Sequence, residues 1–314
     1  MQSLPFKHIA FVFSDPASAN ACAAMANMVR MQGKEIACFS NRQHTCIDSY
    51  TLTEVVPDFT ELGVDGIFTG TSHPESSKGF EVAAIKQAKA AGIPVYSFID
   101  HWANFRLRFR GLEENELPDQ IWVVDETARQ LALVDRLPAE RLIVSGNPYH
   151  YFLQYYWQPK FAGKEYLAQL GIPVEGRHLL FVPDPLSLRN GKAIAGFTED
   201  EALAELVEVM QGTQTKLMVK CHPLQPMERL NAMQSENNAI HLVQSADTLE
   251  LVHACDVVVG FYSNLLLEAE AVGKKVIRYF PGKPEADLLW HRTSLIKTET
   301  KAALATALQT YLHG

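Results

Sequence analysis

Aspartate, histidine, tryptophan, asparagine and arginine crowd into one short stretch, Asp100, His101, Trp102, Asn104 and Arg106, directly after the apolar run PVYSFI. A carboxylate beside a group that titrates near neutrality suits proton transfer, and the neighbouring cations Arg106 and Arg108 suit a phosphate or carboxylate. Asp100 and His101 are therefore expected to be catalytic, with Asn104 and Arg106 binding substrate. A second stretch, Asp256 to Phe280, reads DVVVGFYSNLLLEAEAVGKKVIRYF. It predicts a buried strand, a small polar turn, a helix opening at Ser263-Asn264, and another buried strand after Gly273. The N–H groups that open such a helix, together with its dipole, favour an anion, and phosphate is the natural occupant. Glu268, one turn beyond Asn264, is placed to accept hydrogen bonds from sugar or ribose hydroxyls. Tyr262, Ser263, Asn264 and Glu268 thus suggest a nucleotide-sugar pocket. The plainer alternative is that Ser263 and Asn264 only cap the helix while Glu268 is solvated.

Other strand ends carry weaker signals. After the first apolar run come Ser14, Asp15, Pro16, Ala17, Ser18, Ala19 and Asn20. Small residues there permit close approach of a ligand, with Asp15 as a third catalytic candidate and Ser14 and Asn20 as contacts, although a helix cap explains them equally well. The turn lacks G-x-G-x-x-G, which weighs against an NAD or FAD enzyme. Ser72 lies in the turn Gly70-Thr71-Ser72-His73, and Asn147 in Gly146-Asn147-Pro148, a turn that also suits a hinge. Arg189, Asn190 and Lys192 share a loop whose composition suits a diphosphate. His222 closes the run KLMVKCH on the same side. No Asp-x-Asp or histidine cluster offers a divalent metal site, and no cofactor is expected beyond a nucleotide sugar acting as substrate.

These residues need a scaffold, and the patterning supplies one. Apolar runs alternate with helical patterns throughout: HIAFVFS, EIACFSN, GIFTGTS, IPVYSFID, QIWVVDE and RLIVSGN make six strands in the first half, and TLTEVVPDF reads as helix-like up to Pro57. The rhythm restarts at HLLFVPD. That pattern predicts an α/β protein with two Rossmann-like domains, 1–150 and 151–314, facing across a cleft formed at the carboxyl ends of their strands. The aromatic segment from Tyr149 to Trp157 bridges them, buried either within the chain or against a second copy in a homodimer. The final amphipathic helix, TKAALATALQTYLHG, needs an apolar partner, and either domain is open to it, the N-terminal one included.

The 314 residues carry a formal charge of −8 with dispersed cations, so nucleic acid is not an expected partner. No apolar run reaches the roughly 20 residues of a membrane span, and the N-terminus lacks a signal-peptide pattern, which points to a soluble cytoplasmic protein. Five scattered cysteines without C-x-x-C spacing argue against a disulfide framework.

Read in order, the strand ends resemble the UDP-N-acetylglucosamine 2-epimerases and the wider nucleotide-sugar glycosyltransferases of GT-B architecture. The epimerases carry a His-Gly-Asp-Thr turn and then Gly-Ile-Pro-Val before His-Val-Glu-Ala-Gly; here stand Thr69-Gly70-Thr71-Ser72, Gly92-Ile93-Pro94-Val95 and Phe98-Ile99-Asp100-His101-Trp102. Their Thr-Gly-Asn turn is similar to Ser145-Gly146-Asn147, and their His-Asn-Pro to His222-Pro223. Their Asp-Ser-Gly-Gly-Ile-Gln-Glu-Glu segment resembles Phe261 through Glu268. The resemblance implies phosphate on Ser263 and Asn264 and ribose on Glu268. Three departures stand out: Thr71-Ser72 brings no acid, the loop from Asp184 to Asn190 lacks the family histidine, and Asn264-Leu265 replaces Gly-Gly. With fewer acid and base groups, the expectation turns to a glycosyltransferase acting on an unidentified acceptor in polysaccharide or glycoconjugate assembly. A 2-epimerase or sugar-nucleotide hydrolase, and an inactive nucleotide-sugar binder, are the alternatives.

Overall fold

In the first strand, β1 (His8–Phe13), every residue except His8 is buried, as expected of a strand covered on both faces. The computed structural model describes residues 2–47, 49–187, 195–222, 227–283, 287 and 289–313. With β1 run β2 (Glu35–Ser40), β3 (Thr51–Leu52), β4 (Gly66–Thr69), β5 (Val95–Ile99), β6 (Gln120–Val123) and β7 (Leu142–Val144). They form a seven-stranded sheet in the order β3-β2-β1-β4-β5-β6-β7, every pairing parallel. A second parallel sheet has the order β10-β9-β8-β11-β12-β13. Its strands are β8 (His178–Val182), β9 (Lys216–Lys220), β10 (Ile240–Val243), β11 (Val257–Gly260), β12 (Lys275–Tyr279) and β13 (Ile296–Thr298).

Both sheets start in the middle, wind to one edge, then cross to the other side. The strand order therefore reverses between β1 and β4 and again between β8 and β11. At such a switch point consecutive helices leave to opposite faces and open a crevice at the carboxyl ends of the strands. These are two Rossmann-like units of an α/β protein.

Local chemistry places the helices. Asp15 caps α1 (Pro16–Met31), accepting from the Ser18 N–H at 2.8 Å, and Pro16 occupies the first turn where no donor is needed. The alanines of α1 bring it close to the sheet. Then follow α2 (Phe80–Ala90), α3 (Glu126–Val134), α4 (Pro148–Tyr155) and α5 (Gly163–Gln169). In the second unit, Thr198 and Glu201 form a reciprocal capping box at the head of α6 (Glu199–Met210). The remaining helices are α7 (Met227–Glu236), α8 (Thr248–Ala254), α9 (Asn264–Ala271) and α10 (Lys301–His313). No helix among the described residues is long and apolar enough to cross a membrane.

One expectation from sequence needs adjusting. The stretch after Thr51 is not helical: Thr51–Leu52 is a short exposed edge strand, which raises the first sheet to seven strands. The units divide between Tyr156 and Trp157, inside the aromatic segment read as the bridge, because α4 packs on α1 and carries Tyr151 and Phe152 into the N-terminal core. Of the two surfaces left open for the final helix, α10 takes the C-terminal one, burying Leu304, Leu308 and Leu312 in the core of that unit.

Candidate functional site

At the switch point of the first sheet, the β1–α1 and β4–α2 turns are tied together from within. The Ser72 hydroxyl donates to Glu81 Oε1 at 2.5 Å, the Ser72 N–H donates to the same oxygen at 3.2 Å, and the Asp15 N–H donates to Ser72 Oγ at 2.9 Å. Ser14 donates to Asn41 Oδ1 at 2.7 Å, and the Asn41 amide donates to the Ser77 carbonyl at 2.8 Å. Ser14 and Ser72, expected to meet substrate, are thus buried with their hydroxyls used inside the protein. Asp15 is half-buried, and one of its oxygens serves the α1 cap; Asn20, also half-buried, lies one turn along α1. Glu81 was not singled out from sequence. Its carboxyl is pushed up to about 7 by burial, against the Ser72 hydroxyl bond, with nearby Asp15 adding to the rise.

The two turns meet only because residue 70 has no side chain. A Cβ on Gly70 would lie 2.2 Å from Ser18 Cβ. Gly70→Ala is therefore expected to cost about 1–3 kcal/mol of stability through overpacking, read as a lowered urea midpoint with an unchanged slope.

At the exit of β5, Arg108 Nη1 donates to Asp100 Oδ1 at 2.9 Å, and both side chains are only 13% exposed. The same nitrogen donates to the Thr71 carbonyl, while the Thr71 hydroxyl donates to the Phe98 carbonyl at 2.8 Å. Arg108 therefore joins the β5 exit to the β4 turn. Burial lowers the His101 pKa; Asp100 draws it back up and Arg108 pushes it down. The imidazole is consequently neutral at pH 7 and able to accept a proton. Trp102 donates its indole N–H to both oxygens of Asp125, at 2.9 and 3.0 Å, and Asp125 also caps α3 through the Ala128 N–H. That anchor fixes the backbone next to His101.

Three further candidates have structural work in this unit. Arg106 pairs with Glu114 at 3.3 Å while its N–H donates to Asp135, so the cation beside Asp100 is Arg108 and not Arg106. Asn104 is exposed with φ at +60°, a left-handed position that asparagine tolerates well, and its carbonyl accepts from the Arg108 N–H. Asn147 caps α4 by accepting from the Tyr149 N–H at 2.9 Å.

The crevice of the second sheet is spanned by the Tyr262 N–H, which donates to Asp184 Oδ2 at 3.0 Å. Ser263 caps α9 by accepting from the Leu265 N–H at 3.3 Å, and Asn264, the first helical residue, is exposed. Ser263 is a cap, as the plainer sequence reading had it, and Glu268 is partly open to solvent. It is half-buried, burial pushes its carboxyl up to about 7, and no hydrogen bond or ion pair reaches it among the described residues. Arg278, 1% exposed, donates to the Phe261 carbonyl at 3.1 Å, to the Leu289 carbonyl at 3.1 Å, and to Asp287. It pins the chain where β11 ends. The Tyr262 ring packs against Phe280, and its hydroxyl is pushed up to about 12 by burial, with Asp287 adding and Arg278 opposing. His222 follows β9, half-buried. The expected diphosphate cations Arg189 and Lys192, with Asn190, lie outside the described residues.

Sequence comparison offers little beside this geometry: no family model matches the chain, and no curated protein does. Solved structures do. The UDP-GlcNAc 2-epimerase of Methanocaldococcus jannaschii superposes with a TM-score of 0.67 at 10% identity, covering 98% of this chain and 93% of that one. The Neisseria meningitidis UDP-GlcNAc 2-epimerase, solved with UDP-GlcNAc bound, gives 0.66 at 15% identity, covering 97% and 92%. The UDP-N-acetylglucosamine 2-epimerase of Rickettsia bellii gives 0.61 at 12% identity, covering 98% and 88%. At such identities the likeness establishes the fold: two successive Rossmann-like units of the GT-B kind.

Proposed function

We propose that the chain is an enzyme of nucleoside-diphosphate sugars, with 2-epimerisation of a UDP-linked N-acetylhexosamine as the reading favoured over glycosyl transfer. Glu268 carries the proposal: a carboxyl raised to about 7 by burial, without a partner among the described residues, one helical turn inside α9 at the carboxyl end of β11. A ribose presents the neighbouring hydroxyl donors that such a carboxylate lacks, and the helix N-terminus at Asn264 suits the attached diphosphate. The full-length fold likeness to enzymes whose names specify UDP-GlcNAc supports the same substrate class. On this reading neutral His101, set beside the Asp100–Arg108 pair, accepts the proton from the sugar C2 as UDP departs. Asp100 holds the charge that forms on the imidazole. Return of a proton from the opposite face, with re-addition of UDP, gives the epimer.

Glycosyl transfer is the second reading, and one observation favours it. Thr71 and Ser72 stand where the resembled epimerases carry an aspartate, and both hydroxyls are bonded internally, to Phe98 and Glu81. Incubation with UDP-GlcNAc in D₂O, followed by proton NMR without any acceptor, separates the readings. Epimerisation is expected to place deuterium at C2 and to produce the manno epimer, and His101→Ala to slow this by about 10²–10⁴-fold. UDP release that requires an added acceptor would replace epimerisation by transfer, and a chain that neither binds nor turns over any UDP-sugar would overturn the substrate class.

A further inference from the structure

The side-chain hydrogen bonds between the β1–α1 and β4–α2 turns run through Ser72 Oγ and end on one oxygen of Glu81. The chain has a direction. The Asp15 N–H can only donate, so Ser72 Oγ accepts from it; the Ser72 hydroxyl proton is then committed to Glu81 Oε1, which also receives the Ser72 N–H. Ser18 stands beside both, with its Oγ 3.3 Å from Ser72 Oγ and 3.5 Å from Glu81 Oε1. Glu81 belongs to the buried face of α2 with Ala84, Ile85 and Ala88, is 3% exposed, and its second oxygen is buried without a hydrogen-bond partner among the described residues.

We infer that Glu81 is a positioning residue: as a carboxylate it latches the Asp15 turn to the Ser72 turn across the β1–β4 crevice, and its protonation loosens that latch. Hydrogen bonds to an ionised acceptor are roughly twice as strong as those to a neutral one, so the change of charge is felt along the whole chain. The titratable groups that face Glu81 are Asp15, from the head of α1, and Cys22, from the same helix. Cys22 is held neutral by burial, which leaves Asp15 as the charge that opposes ionisation. With the Glu81 carboxyl at about 7, both states are populated near neutrality. The latch stands on this geometry alone; its effect on turnover rests on the nucleotide-sugar reading.

Native-state hydrogen exchange, followed by NMR at the Asp15 and Ser72 amides from pH 6 to 8.5 and corrected for intrinsic rates, tests the latch directly. Because the Ser72 bonds lower the Glu81 carboxyl against its burial, a local opening that breaks them while Glu81 stays buried favours the protonated form, opposite to global unfolding; protection in the wild type is therefore expected to rise about tenfold across neutrality and to be flat in Glu81→Gln. Ser72→Ala should strip the Asp15 amide of protection at every pH while sparing the core strands. Flat wild-type protection, or a slope that survives Glu81→Gln, would overturn the inference. In turnover assays Glu81→Gln should lose one of two ionisations near 7 from the kcat/KM profile, that of Glu268 remaining. A wild type that turns over no nucleotide sugar would sink the functional reading alone, because the exchange data decide the latch independently.

Discussion

UDP is expected to bind about fivefold more weakly at pH 6 than at pH 7, and Glu268→Gln is expected to abolish that dependence. The Glu268 carboxyl is raised to about 7 by burial, so in the free protein it is mostly protonated at pH 6. Ribose hydroxyls donate to the ionised form, and each pH unit below the free-state pKa therefore costs up to a factor of about ten in affinity. Above neutrality the dependence should level off. Glu268→Ala removes the acceptor at all pH values, at a cost on the order of 1.5–3 kcal/mol for hydrogen bonds to a charged group. Calorimetric titration with UDP reads both effects. A slope that persists in Glu268→Gln would assign the titration to another group and remove ribose from this position. Stability of the unliganded protein runs the other way. The folded-state pKa of Glu268, and of Glu81, lies above the ordinary 4.5, so the folded state holds extra protons between 4.5 and about 7. That contribution is fully present below 4.5 and is lost as pH rises through 7.

Arg278→Met should be the most destabilising single change in the C-terminal unit. The substitution leaves the Phe261 carbonyl without its Arg278 donor and the Leu289 carbonyl with the Arg292 N–H alone, and among the described residues leaves the 11%-exposed Asp287 with Lys297 at 3.6 Å as its remaining cation. Burial would raise the Asp287 carboxyl, but the Arg278 hydrogen bond and charge outweigh it and hold it below its usual range. Removing one partner of a buried pair typically costs about 3–5 kcal/mol, because the other charge remains buried. Chemical denaturation should show the loss, and adding Asp287→Asn should return part of it by removing the stranded charge. An Arg278→Met protein as stable as wild type would mean that this arginine does not hold the β11 exit in place.

How far the sequence revealed these features follows from what each residue needs. The unit from Asp256 to Phe280 was legible throughout: VVVG and KVIRY are buried runs, Ser263 is a natural cap, and Gly273 takes the left-handed φ of +79° that ends the helix. Strands β3 and β13 were not, since two or three residues at a sheet edge carry no periodicity. Asp100 and His101 draw notice in the sequence because their neighbours are chemically crowded. Both Arg106 and Arg108 stand in that loop, and which of them pairs with Asp100 is settled by tertiary contacts that spacing cannot encode. Glu81 looked like one more charged helical residue, yet it shares its helix face with Ala84, Ile85 and Ala88, and a glutamate on an apolar stripe was the signal that could have exposed it. Arg278 stands between Ile277 and Tyr279 in an otherwise apolar strand, and it was passed over for the same reason.

The two sheets trace the same winding, so positions can be matched by their place in the path. Glu81 lies on the helix that follows β4, and Glu268 on the helix that follows β11, each strand being the first beyond the reversal in its sheet. The fold has thus set a glutamate on the corresponding helix twice, as the second residue of α2 and the fifth of α9, and burial raises both carboxyls. In the first half the protein answers its own carboxyl with a serine, an internal stand-in for an alcohol. In the second the described chain sends no such reply, so the same winding holds one carboxyl answered from within and one that is not.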